Sequence, residues 1–363
     1  NKERESGFEV QITVGDKFYA YGFSAILSKR KITSEWLYEL YQNGSARCLF
    51  EREGNKRPIL DNTITLSNTE KNKFEIYADD FEGNESSLFL TEMNRGKKYT
   101  VRSKLLFFKE VYDWIVTHIA VITPNTPLID LEYYYDTDSL KLINKLIETF
   151  DTGISKVKIE EISLDELSNA MPKPVFDKVM RHVKSRIEEQ ENPSFRMTMR
   201  SNESFFNIEV QGHEEPKVTT IRLNHVKSFY DFGFEEESDG TRRLFDLMDM
   251  LLNKREDMLY VVDELERSLH PKLTERFLQL FMQLHSEERM QLLFTTHESS
   301  IMDQSIFRRD EIWFIERNAE NASEIYSLDR FKERYDKVLS KAYLDGRYGA
   351  IPVFSTFEFR EEE

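Results

Sequence analysis

The stretch that decides the fold reads Met258-Leu259-Tyr260-Val261-Val262-Asp263-Glu264. Its apolar part is continuous, which is typical of a parallel strand covered on both faces. The strand ends in two acids, and ligands of open α/β sheets lie at the carboxyl ends of the strands. The stretch therefore predicts an α/β fold in which Asp263 holds Mg²⁺ through water and Glu264 orients an attacking water. Taken alone, the same acids could also form an ordinary polar loop.

A second apolar strand, residues 291–294, ends in Thr295-Thr296-His297. If this strand is a sheet neighbour of the first, His297 lies beside Glu264. An imidazole at that position can contact a terminal phosphate and respond to its loss. Two other histidines, His118 and His182, lie on predicted helical stripes and are expected to be structural.

A third signal is Ser238-Asp239-Gly240-Thr241, which directly precedes a helix with an apolar stripe. A serine and a glycine at a helix N terminus present N–H groups and the positive end of the helix dipole to an anion. Ser238 or Asp239 could equally be a plain N-cap. Residues 265–271 then lead from the acid pair into another helix, with Pro271 in its first turn.

The composition indicates a cytoplasmic, soluble globular protein without internal disulfides. The 363 residues carry a net charge of −16, and Cys48 is the single cysteine. We find no apolar run long enough to cross a membrane. The acidic surface repels phosphate backbones as a whole, so a nucleic acid would need a local patch. The small basic clusters at 29–31 and 95–98 are expected to be ordinary solvated surface.

The periodicity of the chain predicts three parts. Residues 1–100 are predicted to be an antiparallel β part, 101–195 a helical insertion or arm, and 196–363 a lobe in which helices and strands alternate around a parallel sheet. Asn43-Gly44 predicts a hairpin, and Ser163 with Glu166 predicts a capping box. Strands are predicted at 8–14, 18–23, 33–41, 47–50, 63–66, 194–198, 205–210 and 218–223, and apolar helical stripes at 107–118 and 140–150.

The order of these motifs resembles that of ATP-binding-cassette (ABC) ATPases. Residues 238–241 correspond to the signature loop, Asp263-Glu264 end the Walker B strand, 265–271 correspond to the D-loop, and His297 is the switch histidine. Residues 308–314, 323–328 and 346–352 make the chain most similar to the bacterial AAA-fifteen family. These proteins are related to the RecF, SMC and OLD ATPases and occur in abortive-infection and antiphage loci.

The resemblance implies a P-loop NTPase of the ABC type that uses ATP and Mg²⁺. It implies that Asp263 is the magnesium residue, Glu264 the catalytic base and His297 the γ-phosphate switch. Ser238, Asp239, Gly240 and Thr241 would contact ATP held by another subunit, and Arg267 and Ser268 would contact the opposite site. The protein would then pair head to tail as a homodimer or higher homo-oligomer through an ATP sandwich.

One feature departs from the family pattern. No GxxxxGK[ST] run occurs in the sequence, and Gly96-Lys97 is followed by Lys98 instead of serine or threonine. Because the chain opens directly in a strand pattern, we expect the P-loop segment to lie upstream of Asn1. ATP binding by this chain alone is then expected to be poor.

Three functions remain open from the sequence. The first is an ATPase that senses or regulates a partner effector nuclease in antiphage defence, with DNA or a phage protein as trigger. The second is a DNA-repair or chromosome-associated RecF- or SMC-like ATPase, although the chain has no sustained heptads and no overall positive charge. The third is a non-hydrolysing dimerisation module. A single-chain OLD-type nuclease is disfavoured, because residues 298–363 offer too little for a nuclease domain.

Overall fold

The computed structural model describes residues 3–124, 137–200, 205–253, 255–332 and 338–352. The chain divides into two compact units, Asn1–Ala120 and Val121–Glu363. No helix in these described ranges is both long and apolar enough to cross a membrane.

The first unit is an antiparallel sheet packed on three helices. Its five strands follow one another in chain order, and the apolar faces of the helices share one core with the sheet. The Asn43-Gly44 hairpin is confirmed, with Gly44 at φ 81° in the left-handed region. The elements are β1 (Ser6–Val14), β2 (Lys17–Ile26), β3 (Lys31–Leu40), β4 (Ala46–Glu53), β5 (Ile59–Leu60), α1 (Asn68–Phe81), α2 (Phe89–Asn94) and α3 (Leu106–His118).

The strand predicted at 63–66 is wrong. The side chain of Asp61 accepts a hydrogen bond from the backbone N–H of Thr63 at 2.6 Å, and its carbonyl accepts one from Ile64 at 3.1 Å. This turn takes up backbone groups that a strand ladder would need. The last strand of the sheet is instead β5, which pairs with β4.

A buried ion pair ties the sheet to α2. The Glu35 carboxylate accepts hydrogen bonds from the Tyr21 hydroxyl at 3.0 Å and from the backbone N–H groups of Phe89 at 2.7 Å and Leu90 at 3.0 Å. Arg52 lies 3.5 Å away, and both side chains are fully buried. Burial raises the pKa of Glu35, while these donors and Arg52 oppose that rise.

The second unit contains an antiparallel sheet that packs against helices on both faces. Its central strand β10 pairs with β7 along one edge, and with β9 and then β11 along the other. The capping box of Ser163 and Glu166 is confirmed at the start of α5. The elements are α4 (Thr137–Glu148), β7 (Ile154–Ile162), α5 (Leu164–Asn169), α6 (Lys173–Glu188), β8 (Ser194–Arg200), β9 (Phe205–Gln211), β10 (Lys217–His225) and β11 (Asp231–Gly233).

The rest of this unit alternates helix and strand, as the sequence predicted. Strands β12 and β13 pair in parallel, with β6 on the far side of β12. A two-stranded ribbon and a short helix follow. The elements are β6 (Ile119–Ile122), α7 (Asp239–Leu252), β12 (Leu259–Val262), α8 (Pro271–Leu284), β13 (Gln291–Phe294), β14 (Trp313–Arg317), β15 (Ser323–Ser327) and α9 (Leu339–Leu344).

Two strands occur where the sequence predicted a helical insertion. Both β6 and β7 fall within residues 101–195, and β7 forms a long antiparallel ladder with β10. Helix α4 packs beside β7, where the Asn144 side chain hydrogen-bonds both the N–H and the carbonyl of Val157. The division at 100 and 195 stays a prediction.

Candidate nucleotide-hydrolysis site

The two predicted polar loops leave the sheet at the same edge. The parallel pairing of β12 and β13 places Val262 opposite Phe294. The ladder continues past the strands, because the N–H of Thr295 donates to the carbonyl of Val262 at 3.0 Å and the N–H of Leu265 donates to the carbonyl of Thr295 at 3.1 Å. The two strands are therefore sheet neighbours, which is the condition under which the sequence placed His297 beside Glu264.

The Thr295 hydroxyl joins the loops through their functional residues. It donates to Oδ1 of Asp263 at 2.6 Å and accepts from the backbone N–H of Glu264 at 3.0 Å. Asp263 is exposed, so its carboxylate is oriented from one side and open to solvent on another. This role of Thr295 was not predicted from the sequence. Its place directly after the strand was the signal that could have identified it.

Glu264 has a left-handed backbone, with φ at 50°. Such a conformation costs a non-glycine residue on the order of 1–3 kcal/mol and persists only where neighbours hold it. Arg243 of α7, which is 6% exposed, donates from Nη2 to the Glu264 carbonyl at 3.3 Å. The N–H of Arg267 donates to the same carbonyl at 3.1 Å. Arg243 thus links α7 to the predicted catalytic base, which the sequence did not reveal.

His297 is held through its backbone. Its N–H donates to Oε1 of Glu266, in the predicted D-loop, at 2.8 Å. The imidazole is exposed and makes no hydrogen bond to any residue that the structure describes. The loop geometry therefore fixes the chain at His297 and leaves its ring at the surface beside the D-loop.

Ser238 caps helix α7, as one of the two sequence interpretations expected. Its Oγ accepts from the N–H of Thr241 at 3.1 Å and lies 3.0 Å from the hydroxyl of Thr241. Asp239 is exposed and pairs with Arg242 one turn on, at 2.7 Å. The Ser238 oxygen is therefore already used in a hydrogen bond within this chain. The other N–H groups of the first turn have no partner within the helix, and with the helix dipole they favour an anion at this end.

The predicted signature loop and the predicted D-loop of the same chain contact each other closely. A Cβ placed on Gly240 would lie 2.6 Å from the backbone oxygen of Ser268. Ser268 itself has a left-handed backbone with φ at 63°. Gly240 is therefore required because the backbone of Ser268 passes over it, a reason that differs from the exposed N–H groups predicted from the sequence.

A partly buried side-chain pair precedes the predicted signature loop. Glu237, directly before Ser238, is 9% exposed, and its Oε1 lies 2.6 Å from Nε2 of the half-buried His225 at the end of β10. His225 also packs edge-on against Phe232. The pair connects the residue before Ser238 to the antiparallel sheet.

Asp263 suits the Mg²⁺ that the sequence predicts. Magnesium in nucleotide enzymes is commonly held by one or two carboxylates together with water and substrate phosphates. An exposed carboxylate with one oxygen oriented by Thr295 meets that requirement. No group of three or more His, Cys, Asp or Glu side chains within the described ranges is placed to hold a metal.

An acid pair at the edge of a parallel sheet, beside a capped helix N terminus, is typical of nucleotide-hydrolysing α/β proteins. Comparison with protein families agrees with this class. Residues 6–303 match the family described as "AAA domain, putative AbiEii toxin, Type IV TA system", and the chain belongs to this family of AAA/ABC-type ATPase domains. The AAA-fifteen assignment made from the sequence stays a prediction.

Two solved structures are distantly similar. The first is "Crystal structure of the SmcHead bound to the C-winged helix domain of ScpA", at 11% identity over 86% of this chain and 74% of that chain, with a TM-score of 0.31. The second is an Smc head domain with an extended coiled coil bound to the C-terminal domain of ScpA, derived from Pyrococcus furiosus, at 11% identity, 86% and 77% coverage and a TM-score of 0.29. No curated protein matches the chain.

Proposed function

We propose that this chain is the catalytic and dimer-sensing part of an ABC-type ATPase. Its ATP-dependent dimerisation would regulate a partner effector in antiphage defence. The observation that carries the proposal is the Thr295 hydroxyl, which joins the Asp263 carboxylate to the backbone of Glu264. A shared anchor of this kind fixes the position of a metal-binding carboxylate relative to a base, as phosphoryl transfer to water requires.

The proposed chemistry divides between the two acids and the histidine. Asp263 would hold the Mg²⁺, which would supply charge neutralisation at the phosphates. Glu264 orients a water for in-line attack and polarises it, and its backbone is kept in place by Arg243. His297 contacts the terminal phosphate from the neighbouring loop. Preorganised donors and acceptors of this kind provide most of the rate enhancement in such enzymes.

The proposed dimer uses the N terminus of α7. Ser238 and Gly240 would face ATP bound to a second copy of the chain, and the D-loop residues Arg267 and Ser268 would contact the opposite site. The contact of Gly240 with Ser268 supports this coupling, because a shift of one loop must move the other. ATP then acts as the link between two subunits.

The partners are proposed by resemblance. A nuclease supplied by another protein would carry the effector chemistry, and DNA or a phage protein would be the trigger. The family description names a toxin–antitoxin setting, which is compatible with an ATPase that controls a separate effector. We expect the protein to act in the cytoplasm.

Mixing two inactive variants tests the shared site. Glu264→Gln and Ser238→Arg should each abolish ATP hydrolysis by the full-length protein, by removing the base or by blocking the partner's nucleotide. In a mixed dimer, one of the two sites combines a normal Glu264 with a normal Ser238. Random mixing before ATP is added should therefore restore about a quarter of the wild-type rate, because half the dimers are mixed and each keeps one site.

Glu287→Gln serves as the matched control for the loss of a carboxylate, since Glu287 is exposed and lies outside the site. It should hydrolyse ATP normally. If the mixture stays as inactive as its components, Ser238 and Glu264 do not belong to the same two-subunit site. If Ser238→Arg instead abolishes ATP binding by the isolated subunit, residues 238–241 are not the signature loop.

A further inference from the structure

The first unit has an open cleft of about 490 Å³ between the start of β2 and the start of α3. A smaller cavity of about 280 Å³ adjoins it and shares Lys17, Lys104 and Phe107. The walls of the larger cleft are partly apolar and partly cationic. Its lining residues are Lys17, Val101, Arg102, Ser103, Lys104, Leu106, Phe107 and Glu110.

Three cations of the larger cleft have no acidic partner. The side chains of Lys17, Arg102 and Lys104 form no ion pair with any residue in the described ranges, and Arg102 and Lys104 are exposed. The one carboxylate in the lining, Glu110, accepts a hydrogen bond from the buried Tyr19 hydroxyl at 3.3 Å. The cleft is therefore positive in a protein whose net charge is −16.

The loop that carries two of these cations is fixed in place. Oε1 of Glu70 accepts from the hydroxyl of Ser103 at 2.8 Å and from the N–H of Lys104 at 2.9 Å. The same carboxylate closes the capping box with Ser67 at the start of α1. The cationic side chains thus extend from a backbone that is anchored to a helix, which reduces the entropy lost when a ligand is bound.

The positive charge continues beyond the cleft. Residues 95–104 contain five cations and no acid. Lys97 is structural, because it pairs with Glu92 and lies over the Tyr77 ring. Lys98 is exposed, and the Lys73 ammonium donates to its carbonyl at 3.4 Å. Arg95 pairs with Glu92 at 4.0 Å, so the positive charge that extends beyond the cleft lining comes from Lys98.

We propose that this cleft, together with the exposed Lys98 beyond its lining, binds the phosphate backbone of a nucleic-acid strand. Repeated phosphates match cations that lie both inside and outside the cleft, whereas one triphosphate would occupy only the cleft. The apolar wall formed by Val101 and Phe107 suits a sugar or base edge beside the phosphates. The acidic remainder of the surface repels the strand and confines it to this location.

Binding of a fluorescently labelled single-stranded DNA, measured by anisotropy over a range of salt concentrations, tests the proposal. The variant Lys17→Gln/Arg102→Gln/Lys104→Gln should bind at least about tenfold more weakly than the wild type, and its salt dependence should fall by about two to three ion equivalents. The matched control removes three exposed lysines of α6, as Lys173→Gln/Lys178→Gln/Lys184→Gln. This control should bind like the wild type.

Each other outcome overturns the proposal. Equal loss of affinity in both triple variants would indicate non-specific attraction, and no DNA binding by the wild type would exclude the surface outright. The affinity of the same proteins for ATP is measured in parallel. If the cleft variant loses ATP affinity while the wild type binds no DNA, the cleft is a nucleotide site. Because these measurements need no ATP turnover, they are independent of the proposed ATPase function.

Discussion

Replacing Gly240 with alanine should separate the two loops of the proposed site. The added Cβ would lie 2.6 Å from the backbone oxygen of Ser268, well inside an ordinary contact, and this oxygen cannot turn away as a side chain can. Overpacking of this kind costs about 1–3 kcal/mol. Removing a helical glycine returns at most about 1 kcal/mol. We therefore expect a net loss of about 1–2 kcal/mol in the free energy of unfolding.

Urea unfolding of Gly240→Ala measures the stability loss, and ATP hydrolysis by the full-length variant measures its functional effect. Turnover should fall at least about tenfold, because the proposed signature loop at Gly240 and the proposed D-loop at Ser268 must shift together. Gly7→Ala is the matched control, since its Cβ would meet only the Ser24 hydroxyl at 3.8 Å. A Gly240→Ala protein as stable and active as the wild type would refute the close contact and the coupling argued from it.

Three further predictions concern single side chains. Thr295→Val should lower turnover about tenfold or more, by releasing the Asp263 carboxylate, while Thr295→Ser keeps the hydroxyl and most of the activity; steady-state ATP hydrolysis compares them. Arg52→Met should cost about 3–5 kcal/mol in urea unfolding, because it leaves Glu35 buried without its cation, and adding Glu35→Gln should recover part of the loss. Hydrogen bonds from Ser67, Ser103 and Lys104 lower the pKa of Glu70 to about 2. The ionised Glu70 carboxylate therefore stabilises the folded protein above its unfolded pKa of about 4.3, and this contribution is lost as the pH falls towards 2. Thermal unfolding of wild type and Glu70→Gln should therefore differ at pH 7 and converge at low pH, and a constant difference would contradict the assignment.

Local signals in the sequence predicted much of the fold. The Asn43-Gly44 turn and the Ser163 cap are satisfied within a few residues, so a short window contains their cause. The strand prediction for residues 63–66 was wrong because their sequence alternates like a strand, whereas the Asp61 side chain accepts a hydrogen bond from the backbone N–H of Thr63 and forms a turn. Strand β7 was missed because its identity depends on the ladder with β10, some sixty residues later in the chain.

In the candidate site, too, the sequence could identify some residues and not others. Asp263 and Glu264 could be found from the sequence because an apolar strand that stops at two acids is a local pattern. Arg243 could not, because within α7 it resembles any charged residue of an amphipathic helix, and only the folded chain brings it to the Glu264 carbonyl. The need for Gly240 likewise arises from a backbone contact made across the fold.

The rate of ATP hydrolysis by the full-length protein, with and without Glu264→Gln, decides whether the strand-end acids form the hydrolytic site. The wild type should hydrolyse ATP in the presence of Mg²⁺, whereas the variant should bind ATP, lose at least about a hundredfold in rate and accumulate as a dimer. Normal turnover by Glu264→Gln would contradict the assignment of the strand-end acids as the hydrolytic site.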